Sequence, residues 1–294
     1  PRAGEPTFGL FVLVGGLRTP IAPSVFLNEV GGGVFINPTN EDLETVVTIS
    51  GFQRPELTDA TVDSMRPEGA GEPGGFAVML MAGVYVAEES LVEGKAMITL
   101  SANSFELDAE VTALEGMLTG RSYFIVSWNP PFAEGNNVLE ADIFEIFQID
   151  GDLAFYAYGE SAWAVMGSTR VSLCGKGMAD GEFFIGPPGF MVDTTVKASV
   201  NIGFVSGYVQ FDGMVWLYVV PEDDTWGAWA AIEVGGSLLE GLVSATAGIE
   251  GALIGQGTTS VLVYAVGYVE FKVCWVKVYE GSLWASIGSD GFEG

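Results

Sequence analysis

The chain has no histidine. That absence rules out Ser-His-Asp and Cys-His nucleophile systems, histidine general bases and imidazole metal ligands. Basic residues are scarce as well: 11 Lys and Arg stand against 38 Asp and Glu, a formal net charge of −27. Such a charge repels nucleic-acid phosphates and anionic lipid headgroups, so neither is an expected partner. The two cysteines, Cys174 and Cys274, lack the CxxC spacing of zinc and redox sites. In an oxidising compartment they would close a long loop, worth up to about 4.7 kcal/mol in the entropic model; the plain alternative is two buried free thiols. The longest uncharged runs are Gly74 to Ala87 and Gly251 to Val269, and Gly255-Gln256-Gly257-Thr258-Thr259-Ser260 breaks the second, so no membrane-spanning helix is expected. Pro1-Arg2-Ala3-Gly4 does not open like a secretory leader, which reads as a mature, trimmed product.

What is abundant is alternation. From Phe190 to Tyr279 side chains alternate as in strands, and both alternating sets are rich in apolar residues. Between Val261 and Tyr279 one set holds Val261, Val263, Val269, Phe271 and Trp275, and the other Leu262, Tyr264, Val266, Tyr268 and Val276. On this reading neither set is a solvent face, and the strands are covered on two sides by the fold, by lipid or by other copies. Glycine, 41 of 294 residues, has no three-residue period and reads as turns and close sheet packing.

The expected fold is therefore all-β: large twisted antiparallel sheets, as a sandwich or as open stacked sheets, with Gly/Pro-rich loops and little helix. Residues 1–75 read as a proline-punctuated region with short strands only, such as Gly9 to Val14 and Val46 to Gly51. Residues 76–294 form the main region, with 76–185 and 186–294 as two similar units. Their echo is Phe105, Leu107, Asp108, Val111 and Ala113 against Phe190, Val192, Asp193, Val196 and Ala198. Strands are expected at Phe76 to Val86, Ala96 to Leu100, Phe105 to Ala113 and Ser122 to Trp128. A hairpin is expected from Ile143 to Tyr158, turning at Asp150-Gly151-Asp152.

Chemistry is thinly signposted. Paired carboxylates can cleave glycosidic bonds without histidine, but no pair among the 38 acids is singled out by a motif. No organic cofactor is indicated. Calcium is the one candidate ion, at the oxygen-rich turns Asp150 and Asp152 and Glu222, Asp223 and Asp224, although none has EF-hand spacing and plain turns explain them better. Trp216, Tyr218, Trp226, Trp229, Tyr264, Tyr268 and Trp275 suit a packed core or subunit interface better than a carbohydrate platform.

Acidity, glycine, valine and aromatics, the missing histidine and the lone cysteine pair together resemble the tubular sheath proteins of methanogenic archaea. The resemblance covers the whole chain and carries no signature segment. It implies strands that continue between subunits into stacked hoops around the cell, high chemical resistance, and Cys174 or Cys274 as points for bonds between subunits. The expected function is that of a non-enzymatic, secreted structural protein at the cell surface. It would polymerise with itself through strand edges and apolar sheet faces, with Val261, Val263, Tyr264, Tyr268, Phe271 and Trp275 as the candidate assembly strand. The last hundred residues hold only Lys197, Lys272 and Lys277 as bases to guard such edges. The alternatives are a lipid-binding or outer-membrane β-protein, and a carbohydrate-active enzyme with paired carboxylates.

Overall fold

The computed structural model describes residues 7–55, 66–69, 72–86, 91–158, 162–187, 189–218, 225–256, 260–288 and 291–293. The fold is all-β, one antiparallel strand following another, with a single α-helix among the described residues. The strands are β1 (Phe8–Val14), β2 (Thr19–Ala22), β3 (Val25–Ile36), β4 (Phe76–Val86), β5 (Val92–Ser101), β6 (Ser104–Ala113), β7 (Leu118–Trp128), β8 (Pro131–Ile143) and β9 (Phe147–Tyr158). They continue as β10 (Ala162–Leu173), β11 (Lys176–Gly186), β12 (Gly189–Ile202), β13 (Val205–Tyr218), β14 (Thr225–Leu238), β15 (Val243–Gln256), β16 (Ser260–Val273), β17 (Val276–Gly288) and β18 (Gly291–Glu293). The helix α1 (Asn40–Ile49) lies between β3 and β4. The chain divides into two compact units, residues 1–167 and 168–294.

In the first unit β3 pairs with both β1 and β2 on one side and with β4 on the other, and each strand from β4 to β9 pairs with the next. Residues opposite each other in an antiparallel pair point to the same side, so the registers sort every side chain onto one of two faces. One face carries Leu10, Val34, Val78, Leu100, Phe105 and Val126 in a single cross-strand row. The other carries every charged residue of β4 to β9, including Lys95, Glu106, Asp108, Arg121, Glu134 and Asp150.

Helix α1 covers part of that charged face. Thr39 caps it: the Thr39 Oγ1 accepts from the Asp42 backbone N–H at 3.1 Å, and the Thr39 N–H donates to Asp42 Oδ2 at 2.8 Å. These bonds hold the Asp42 carboxyl below its ordinary range. Leu43, Val46 and Val47 then meet Phe35, Ala77, Met79, Met81 and Met97 in the core, joined by Phe52. The expected strand at Val46 to Gly51 is thus wrong, because a capping box and an i, i+3, i+4 apolar stripe outweigh the β-branched residues. The expectation of short strands only in this region also fails: β3 runs for 12 residues between Pro23 and Pro38.

The hairpin expected at Asp150-Gly151-Asp152 is misplaced too. Those residues lie within β9, opposite Glu140, Leu139 and Val138, and the turn comes at Phe144, Glu145 and Ile146. Phe144 and Glu145 both have positive φ there, so an aromatic and an acid make the turn that Asp-Gly was expected to make. Likewise Val261 to Tyr279 is not one strand. It breaks at Cys274 and Trp275, again with positive φ, into β16 and β17. A comparable turn at Leu239, Glu240 and Gly241, all with positive φ, joins β14 to β15.

Glycine has a specific place in these sheets: opposite a large ring. Gly135 faces Phe155, Gly227 faces Trp216, Gly235 faces Tyr208, and Gly248 faces Tyr268. A Cβ at Gly235 would sit 2.4 Å from the Tyr208 ring, and one at Gly248 would sit 2.5 Å from the Tyr268 ring. The rings therefore lie flat over bare backbone, the cross-strand glycine–aromatic device of β-sheets. We predict that Gly248→Ala lowers stability by about 1–3 kcal/mol through overpacking. Gly177→Ala, where a Cβ meets nothing within 4 Å, is the control and is expected to change little. Urea unfolding of both variants checks this.

Candidate assembly surface

The second unit is built on the same plan with less cover. Strands β11 to β17 pair in sequence order through long, continuous registers. On one face, successive cross-strand rows read Val192, Val215, Ala228, Leu253, Val263, and then Val196, Phe211, Ile232, Ile249, Gly267. No charged residue lies on this face from β12 to β16. Asp193, Lys197, Asp212, Glu233, Glu250, Glu270 and Lys272 all take the other side. The expectation that neither side is a solvent face is therefore corrected: one side is polar, and the other is uncharged and apolar but for Thr194.

The apolar side is also the more exposed one. Val209 is 49%, Ile232 46% and Ile249 58% exposed, whereas Ala252, on the polar face, is the one buried hydrophobic side chain in this unit among the described residues. The first unit repeats the inversion, with Leu10 and Leu80 each 60% exposed on its apolar face and Met79 and Met97 fully buried on its polar one. Soluble proteins seldom leave apolar patches beyond a few hundred Å² open to water. Ordinary strand spacing and rise give the face of β12 to β17 an area of roughly 1,200 Å².

The polar faces hold the fold's ion pairs. In the first unit Arg54 Nε donates to Asp108 Oδ1 at 2.7 Å, and Arg54 Nη2 donates to Glu106 Oε2 at 2.8 Å. The Arg54 guanidinium also lies 4.3 Å from the centre of the Tyr123 ring. Arg66 grips Glu134, whose carboxylate is fully buried and also accepts from Tyr158. Burial, and secondarily the neighbouring Asp108, raises the Glu106 carboxyl above its ordinary range against the pull of Arg54. Burial likewise pushes the Tyr123 and Tyr158 phenols up. A cavity of about 210 Å³ beside this cluster is lined by Asn40, Glu44, Arg54, Arg66, Glu106 and Tyr123.

In the second unit Glu233 accepts hydrogen bonds from the Tyr208 and Tyr268 hydroxyls, and Lys197 sits 4.6 Å over the Tyr208 ring. The two phenols hold the Glu233 carboxyl below its ordinary range, and Glu233 in turn pushes Tyr268 up to about 12.

The remaining sequence candidates separate. Asp150 and Asp152 lie on a strand of the polar face and not in a turn. Glu222, Asp223 and Asp224 lie outside the described residues. No group of three or more acids and cysteines in metal-binding range occurs among the described residues. Cys174 and Cys274 are free and exposed, each at positive φ in a tight turn, which corrects the expectation of buried thiols. Cys174 and Cys274 are not bonded to each other, and they lie in turns at the two ends of the run of strands from β11 to β16.

Of the candidate assembly strand, Val261, Val263 and Phe271 lie on the apolar face of β16, at 38%, 40% and 37% exposure. Tyr264 and Tyr268 lie on its polar face, and Trp275 sits at the turn, 72% exposed. Sequence reasoning missed the rest of the face. Its signal was available as the confinement of charge to one parity within each strand from β12 to β16, which a single unbroken reading across Cys274 scrambled.

Two predictions follow from the polar faces. Arg54→Leu leaves Glu106 and Asp108 buried without their cation and should cost about 3–5 kcal/mol at neutral pH. The deficit should shrink on acidification as the carboxyls take up protons, which urea unfolding at two pH values would show. In the second unit, Tyr268 contributes stability that is complete below the ordinary phenol range and lost as pH rises through about 12. Glu233, with a depressed carboxyl, contributes stability present above its ordinary range and lost as pH falls through its folded value. Absorbance titration near 295 nm should show one phenol moving down toward pH 10 in Glu233→Gln.

Comparison with models of known families, with curated proteins and with solved structures finds no match.

Proposed function

We propose that this chain is a non-enzymatic structural subunit of an extracellular sheath, wall or filament that assembles with copies of itself through apolar sheet faces and an open strand edge. The observation that carries the reading is the exposed, uncharged face of each unit, set opposite a face that holds the charge. Burial of apolar area is worth about 25 cal/mol per Å², so a face of this size left in water is a large unsatisfied driving force. Charge on the reverse side keeps the chains soluble and limits uncontrolled aggregation.

The edge adds to it. Strand β18 pairs only with Ser286 to Gly288, so Val276 to Ala285 of β17 have no partner strand on that side among the described residues. Val276 is 64% and Leu283 81% exposed along this edge, and Lys277, drawn to Glu270 and Glu280, is its one basic residue. Long apolar edges of this kind pair with other chains.

A second reading has its own observation. Antiparallel strands with one apolar and one polar face are also the pattern of an outer-membrane barrel. No helix among the described residues is long and apolar enough to cross a membrane, a test that does not bear on strands. The assembly reading is favoured because the apolar surface runs on into the hairpin ends at Phe204, Leu239 and Trp275, past the band of about 25 Å that a barrel presents to lipid.

Negative-stain microscopy of detergent-free protein tests the proposal. Ordered sheets, rings or filaments are expected, and Ile232→Lys, which places a charge in mid-face, should abolish them while far-UV circular dichroism stays β-like. Dispersed single particles from the unsubstituted chain would overturn it.

A further inference from the structure

We infer that the apolar face of β12 to β17 is the seat of a second copy of this chain, packed face to face about a two-fold axis so that the two sheets form one sandwich. The inference rests on the assembly reading and adds the partner's geometry to it.

Area is the first argument. A stable interface buries about 800 Å² on each partner, and this face offers roughly 1,200 Å² by strand spacing and rise. The second argument is relief. A low row across the strands, Thr194, Gly213, Ala230, Gly251 and Ala265, lies between two taller ones. The taller neighbours include Phe211, Ile232 and Ile249 on one side and Val215, Leu253 and Val263 on the other. The result is a shallow trough of about 540 Å³ with no charged residue in its walls.

A two-fold contact requires a surface that complements itself. A low row beside a tall one supplies both halves of that fit, since the tall row of each copy can enter the trough of the other. Packed sheets sit about 10 Å apart with inner side chains interdigitated. The third argument is charge. Glu233, Glu250, Asp193 and Asp212 all point away from the contact, so two strongly acidic chains meet through a surface where they do not repel.

The test is Ala230→Phe in the full chain. Ala230 is exposed on the sheet surface, so the larger ring fills the trough without entering a core. It also adds apolar area, which would strengthen an association that depended on area alone. Sedimentation velocity without detergent should show self-association at least tenfold weaker than in the parent, with circular dichroism unchanged. If Ala230→Phe associates like the parent while Ile232→Lys does not, the inference falls and the assembly reading stands. If both associate like a self-associating parent, another surface carries the assembly and the inference falls; if the parent itself does not associate, the assembly reading falls and takes the inference with it. If the parent stays monomeric and partitions into phosphatidylcholine vesicles, acyl chains are the occupant and the inference is overturned.

Discussion

The structure depends on one segregation: from β4 to β9 and from β12 to β16, charge is confined to one parity of the two-residue repeat, and in β17 a bulge keeps Lys277 and Glu280 on the same side despite their opposite parity. Once neighbouring strands pair in register, that local rule becomes a property of whole sheets, because opposed residues share a side. A register slip of a single residue between β14 and β15 would set Glu233 on the side of Ile249 and Glu250 on the side of Ile232. The pattern is thus both the reason for the two faces and the device that fixes the pairing.

The usual arrangement of soluble proteins is inverted here. In the first unit the face covered within the chain is the charged one, and the cover is specific: α1 closes over the methionines at one part, and Arg54 and Arg66 neutralise buried acids at another. Buried acids without those arginines would be costly, so the arginines serve the interior. In the second unit no helix among the described residues lies over the polar face. Tyr208, Trp216 and Tyr268 fold flat onto glycines, and Glu233 ties two of the rings together. Flat rings shield backbone that a helix shields elsewhere.

Much of the fold was legible. Phe76 to Val86 matches β4 residue for residue, and Phe105 to Ala113 is β6 less one residue. The strands read well because apolar alternation between Gly and Pro signals has few other solutions. Turns were less legible. Asp150-Gly151-Asp152 carries the usual turn residues yet lies in a strand, while Phe144-Glu145 and Cys274-Trp275 turn the chain with residues that ordinarily avoid positive φ. What decides those positions is the length of the neighbouring strands and the ladder they must complete, which no local window contains. The same limit hid the assembly surface: its rows run across strands, and residues such as Val215 and Leu253 become neighbours only through the registers.

The tight turns carry a consequence for how such a molecule comes into being. In β12 to β17 each strand pairs with the one just before it, and at the turns the Leu239 N–H donates to the Phe204 carbonyl and the Cys274 N–H to the Leu242 carbonyl. No strand in this stretch waits for a distant segment, which is the condition for fast folding at low contact order. The sheet can therefore be laid down hairpin by hairpin as the polypeptide emerges during synthesis, each new strand docking on a template finished moments earlier.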